Sequence, residues 1–140
     1  MPNLKTYDLF LSHVWNYSSD YERVVKMLNE AFFFYWRNYS VPENKPLVDS
    51  NTWIGKNKLI AELDEQIKPV NCVLIFAGMY ATYSDWIIEE IKIAQKYNKP
   101  IIGIQPWGQS RIPNIISENV DIMVGWNTVS IVSAIRKYSI

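Results

Sequence analysis

The stretch that decides the fold is CVLIFAGMYATYSDWIIEEIKIAQKYNKPIIGIQ, residues 72–105. It opens on CVLIFAG, which carries no charge. An unbroken apolar run of that length reads as a strand buried on both faces, because a strand with one wet face alternates. The segment that follows, residues 83–100, reads as a helix. On a wheel turning about 100° per residue, Trp86, Ile87, Ile93, Ala94 and Tyr97 share one arc. The helix stops before Pro100, which lacks an N–H and clashes with the preceding turn. PIIGIQ, residues 100–105, is then a second apolar strand. Two buried strands joined through a helix make a crossover unit, so the two run parallel.

The same alternation extends in both directions. YDLFLS (Tyr7–Ser12) reads as the first strand. A helix follows, with Ser19 and Glu22 as a capping box and Val24, Val25, Leu28 and Phe32 at helical spacing. YWRNYSV (35–41) reads as an aromatic-rich second strand ended by Pro42. PENKPLVDSNTWIG (42–55) reads as a long polar loop. KNKLIAELDEQIK (56–68) is an amphipathic helix with Leu59, Ile60, Leu63 and Ile67 on one face. Beyond residue 105, RIPNIISENV holds a short helical turn and DIMVGW a weak fifth strand. Asn127 caps a last helix, TVSIVSAIRKY, whose Arg136 and Lys137 complement its dipole.

Five strands alternating with helices predict one α/β domain over residues 1–140, a five-stranded parallel sheet with helices on both faces. The expected strand order is 2-1-3-4-5. Ligands of such sheets bind beyond the carboxyl ends of the strands, at the switch point between strands 1 and 3. The loop after strand 1 carries Ser12, His13 and Trp15. The loop after strand 3 carries Tyr83 and leads into the helix with Trp86 and Glu90.

Composition narrows the function classes. Apolar residues make up 49% of the chain, enough for a core. Fourteen basic and fourteen acidic residues cancel, and there is no run of Lys or Arg. Nucleic acid is therefore not an expected partner, since phosphate contacts need a basic face. The single cysteine, Cys72, lies in an apolar strand and reads as a small buried hydrophobe. One His and one Cys give no metal-ligand spacing. No apolar run approaches the roughly 20 residues of a membrane helix, and no signal peptide is evident. The expected compartment is the cytoplasm, with no membrane partner. There is no G-x-G-x-x-G and no Walker A motif. A phosphoacceptor receiver is disfavoured: Asp8 precedes the apolar part of strand 1, and strand 3 ends in Ala77-Gly78.

The adjacent glutamates of the third helix differ. Glu89 lies about 100° from Glu90 on the wheel, beside Lys92 and Lys96, and reads as a solvated charge. Glu90 lies inside the apolar arc. A carboxylate buried without partners costs several kcal/mol, so Glu90 either meets a structural partner or faces a cleft and a substrate. Trp86, one turn earlier on the same face, would share that cleft. His13, the one histidine, is a cleft or loop-packing residue. Trp36, Trp53, Trp107 and Trp126 read as packing or loop anchors.

These residues carry a family resemblance. YDLFLSH resembles the first box of TIR domains, and the loop after strand 2, including Asp49 to Trp53, resembles their BB loop. SDWIIEEI resembles the third-helix motif of NAD-consuming TIR domains, with Trp86 and Glu90 at the positions of its Trp and catalytic Glu. The cadence of the whole chain, including AGMYATYSDW, KPIIGIQPWGQ and MVGWNTVSIVSAIRKY, is similar to the prokaryotic TIR-like family of Thoeris anti-phage defence.

The resemblance implies a flavodoxin-like, three-layer TIR fold. It also implies cleavage of the nicotinamide–ribose bond of NAD+, bound as substrate with no cofactor or metal. Glu90 would be the catalytic residue, and Ser12, His13, Trp15, Tyr83 and Trp86 would bind substrate, with Ser12 and His13 across the cleft from Glu90. The product would be a cyclic ADP-ribose-type signal that activates a separate effector, and self-assembly would complete the site. Two alternatives stand beside this: a non-enzymatic TIR interaction module, or another enzyme acting on nucleoside glycosidic bonds.

Overall fold

Five strands hydrogen-bond in the order β2-β1-β3-β4-β5, every neighbouring pair parallel. In this computed structural model, residues 5–12, 19–39, 53–76, 84–105 and 114–140 are described. The elements are β1 (Thr6–Leu11), α1 (Ser19–Glu30), β2 (Tyr35–Asn38), α2 (Trp53–Ile67), β3 (Cys72–Phe76), α3 (Ser84–Lys96), β4 (Ile101–Ile104), α4 (Asn114–Ser117), β5 (Ile122–Val124) and α5 (Thr128–Tyr138). The expected architecture and strand order are those observed.

The centre of the sheet is dry. Leu9, Phe10 and Leu11 of β1 and Cys72, Val73, Leu74 and Ile75 of β3 are all fully buried. That requires cover on both faces. Helices α2 and α3 pack together, and α1 packs with α5, forming two outer layers. Leu63 and Ile67 of α2, Val24 and Leu28 of α1, and Ile131 and Ile135 of α5 supply the buried stripes. Register runs Leu9 to Cys72, Leu11 to Leu74 and Leu74 to Ile102, so β1, β3 and β4 align at their carboxyl ends.

Polar side chains fasten the opposite edge, where the strands begin. Asn71 Oδ1 accepts from the Asp8 amide at 2.8 Å, and Asp121 Oδ2 accepts from the Ile101 amide at 2.7 Å. Asp8 receives a two-pronged contact from Arg37 of β2, at 2.6 and 3.0 Å. Asn127 caps α5 as expected, accepting from the Ser130 amide at 2.8 Å.

Three expectations are corrected. Helix α2 starts at Trp53, three residues inside the segment read as loop. Helix α1 ends at Glu30, so Phe32 does not join the buried face of Val24 and Leu28. It is 88% exposed, and Phe34 enters the core instead, stacked on Tyr7. The chain reaches that arrangement by turning through Phe33 at φ 55°. Lys96 does not serve Glu89: it pairs with Asp64 of α2 at 2.9 Å, and Glu89 is half-buried. The carboxylate that Lys96 meets lies on the neighbouring helix, which the wheel of one helix does not show.

Candidate active site

The site is built where β1 ends. The Ser12 amide donates to the Leu74 carbonyl at 2.9 Å, extending the β1–β3 ladder by one residue. This holds the Ser12 backbone at the carboxyl edge, between the two strands of the switch point. Its hydroxyl donates to Glu90 Oε1 at 2.7 Å. The two residues are 78 positions apart in sequence and both are fully buried. Among the described residues they are the only buried polar or charged side chains.

Helix α3 explains why Glu90 is there. Ile87, Ile91, Ile93 and Ala94 are all at most 5% exposed and form the stripe that packs on the sheet. Glu90 lies within that stripe, one turn after Ile87 and one before Ala94. The helix therefore drives a carboxylate into the apolar layer at the point where β1 stops. At 2.7 Å the contact has the ordinary length of an O–H···O hydrogen bond. A hydroxyl anchored through its own backbone fixes the carboxylate in one orientation.

Ser12 therefore touches Glu90 directly rather than facing it across a gap. Sequence spacing carries no sign of this contact. The 2-1-3 strand order is the one feature that brings the end of β1 beside the helix after β3. Trp86 lies one turn before Glu90 on α3, although its side chain is outside what the structure describes. His13, Trp15, Tyr83 and residues 49–52 also fall outside the described residues. No group of three or more His, Cys, Asp or Glu side chains suited to a metal ion occurs among the described residues. None of the described helices is long and apolar enough to cross a membrane. Cys72 is buried, and desolvation pushes its thiol up to about 12, which leaves it protonated and inert.

The family profile for the Thoeris protein ThsB, TIR-like domain, matches residues 10–111, from β1 past β4. The chain belongs to this family. The matched span contains both Ser12 and Glu90. No curated protein matches the sequence. Two of the solved structures that share the fold are similar over most of the chain. One is a 2-deoxyribosyltransferase from Bacillus psychrosaccharolyticus, at TM-score 0.54 and 17% identity, covering 84% of this chain and 85% of that one. The other is the Clostridium botulinum CMP N-glycosidase BcmB, at TM-score 0.50 and 13% identity, covering 92% and 98%.

Proposed function

We propose that this chain cleaves the nicotinamide–ribose bond of NAD+ in anti-phage defence, with Glu90 as its catalytic carboxylate. The observation that carries the reading is the buried Ser12–Glu90 pair at the switch point of the sheet. Family membership supports the defence context.

The chemistry suits a single carboxylate. Breaking the C–N bond sends its electron pair to nicotinamide, which leaves neutral and needs no general acid. Positive charge develops on the ribose instead. A fixed anion beside that sugar stabilises the charged transition state more than the ground state. Ser12 acts as a positioning residue that holds the carboxylate in one orientation. Tyr83 and Trp86 ahead of Glu90, and His13 and Trp15 after Ser12, are proposed to pack around the nicotinamide riboside. Attack by a nucleophile of the same molecule's adenosine portion, with loss of its proton, closes a cyclic ADP-ribose-type product. That product is proposed to reach a separate effector by diffusion in the cytoplasm. NAD+ is the substrate, and no cofactor or metal is required.

Glu90 is fully covered in this structure. Turnover therefore requires the carboxylate to be uncovered, and self-assembly or an infection signal is proposed to do so. Protein at rest is expected to turn over slowly.

A second reading has its own observation. The two structural neighbours are named for a 2-deoxyribosyl transfer and a CMP N-glycosidase activity. The same carboxylate could serve a nucleoside or nucleotide N-glycosidic bond. Concentrated protein offered NAD+, CMP and deoxynucleosides in parallel, with free base measured by chromatography, separates the two. Nicotinamide release from NAD+ alone supports the proposal. Release of cytosine or another nucleobase without nicotinamide overturns it in favour of the second reading.

A further inference from the structure

Helix α3 hands the chain to β4 through Asn98, Lys99 and Pro100, and that passage is held rigidly. Asn98 takes φ 55°, a left-handed conformation that Asn tolerates at the end of a helix. The Asn98 amide donates to the Gln95 carbonyl at 3.1 Å and the Lys99 amide to the Ala94 carbonyl at 2.8 Å. These two bonds are the Schellman pair that closes a helix. The Pro100 carbonyl accepts from the Val73 amide at 2.9 Å, which ties the next residue to the sheet. The Lys99 backbone is thus fixed from both sides.

Its side chain stands at a cavity of about 460 Å³ between the ends of α3 and α5, where β4 and β5 begin. Lys99 and Tyr138 are half-buried there. Among the described residues, the Lys99 ammonium has neither a hydrogen bond nor an ion pair. Two other titratable groups line the cavity, Asp121 ahead of β5 and Tyr138 at the end of α5. Asp121 Oδ2 is taken by the Ile101 amide at 2.7 Å. Burial holds the Lys99 ammonium below the usual lysine range, with no carboxylate to offset it. A pinned amine that is poorly solvated and unpaired is a better nucleophile than an exposed one.

We propose that Lys99 is an acylation site, its Nζ taking the acyl group of a small neutral thioester that enters this cavity. The free amine attacks the thioester carbonyl carbon. The C–N bond forms as the C–S bond breaks, the sulfur leaves with the electron pair, and the amine's proton ends on the released thiol. Asn98 and Tyr138 line the same cavity and can donate to the acyl oxygen as charge develops on it. A neutral donor is favoured over an anionic one, because Asp121 and the carbonyl ends of α3 and α5 lie at this edge. The product is an uncharged amide, so acylation also removes an ammonium that the cavity solvates poorly. The cavity lies where the strands begin, at the edge opposite the Ser12–Glu90 contact, and the inference stands apart from the proposed chemistry.

The probe is S-acetyl-N-acetylcysteamine, offered to native protein in roughly equimolar amount at about pH 8, with acetyl-lysine located by peptide mass spectrometry. Lys99 is expected to acetylate faster than the exposed Lys68 and Lys92 by a factor of about 3 or more. Its labelling should level off below the ordinary lysine range as pH rises, and unfolding in urea should abolish the preference. Lys99→Arg keeps the charge and should remove the fast phase of acetyl uptake. Acetyl phosphate, an anionic donor, should show a smaller preference for Lys99, and an equal or larger one overturns the choice of a neutral donor. Native Lys99 labelled no faster than Lys68 and Lys92 overturns the proposal. So does a preference that survives in urea, or a fast phase that persists in Lys99→Arg.

Discussion

Replacing Ser12 by Ala removes one oxygen from the interior and tests how the candidate site is held together. The hydroxyl donates to Glu90 Oε1 at 2.7 Å with both residues fully buried. A hydrogen bond to a charged group contributes about 1.5–3 kcal/mol, and its loss leaves a buried oxygen with one donor fewer. For a chain of this length, each kcal/mol lowers Tm by about 3 °C. Ser12→Ala should therefore lower Tm by about 5–10 °C and move the urea midpoint by about 1 M. The decisive comparison is the double-mutant cycle with Glu90→Leu. Leucine fits the apolar stripe of Ile87, Ile91 and Ala94, and it accepts no hydrogen bond. In that background Ser12→Ala should cost less than about 0.5 kcal/mol, or stabilise slightly, because it then removes an unpaired hydroxyl. Equal costs in both backgrounds would show that the two residues are not coupled, and the site as described would fail.

Other outcomes follow from the same geometry. The Tyr97 hydroxyl and the Lys96 ammonium hold the Asp64 carboxyl below its usual range. Its folded value lies below the unfolded one, so its contribution is complete above the ordinary carboxylate range and is lost as pH falls through the folded value. Asp64→Asn should thus lower Tm at pH 7 by about 3 °C or less, the pair being partly exposed, and the difference should vanish near pH 2. Burial pushes the Cys72 thiol up to about 12 from 9.0. Native protein at pH 8 should resist a thiol-reactive chromogenic disulfide that labels the urea-unfolded chain within minutes. Stability should also decline as pH rises above about 9, where only the unfolded thiol ionises. Prompt native labelling would contradict the burial. Asn127→Ala removes the cap on the Ser130 amide and should cost about 1 kcal/mol in urea titrations, with Asn127→Asp restoring most of it.

The order of elements was legible because the chain punctuates it. CVLIF and IIGI are apolar runs too short for helices, and Pro100 and Asn127 mark boundaries that the structure keeps. The position of Glu90 within the apolar arc of α3 was legible from helical period alone. Contacts between elements were not. The Ser12–Glu90 bond depends on strand order and on one extra rung of the β1–β3 ladder, neither of which is a local signal. The pairing of Lys96 with Asp64 depends on how α2 lies against α3. Phe32 was misplaced because helical spacing continues past Glu30 on paper, whereas the chain turns at Phe33 and gives the core Phe34.

Glu89 and Glu90 are neighbours on α3, and the proposed chemistry falls to Glu90 alone. Wild type, Glu90→Gln and Glu89→Gln, each assayed at high concentration for nicotinamide released from NAD+, test it most directly. Loss of a group that stabilises developing charge typically costs a factor of about 100–1,000 in rate. Glu90→Gln should fall by that factor, while Glu89→Gln stays near wild type. Turnover by Glu90→Gln equal to wild type, or a collapse confined to Glu89→Gln, would contradict the account.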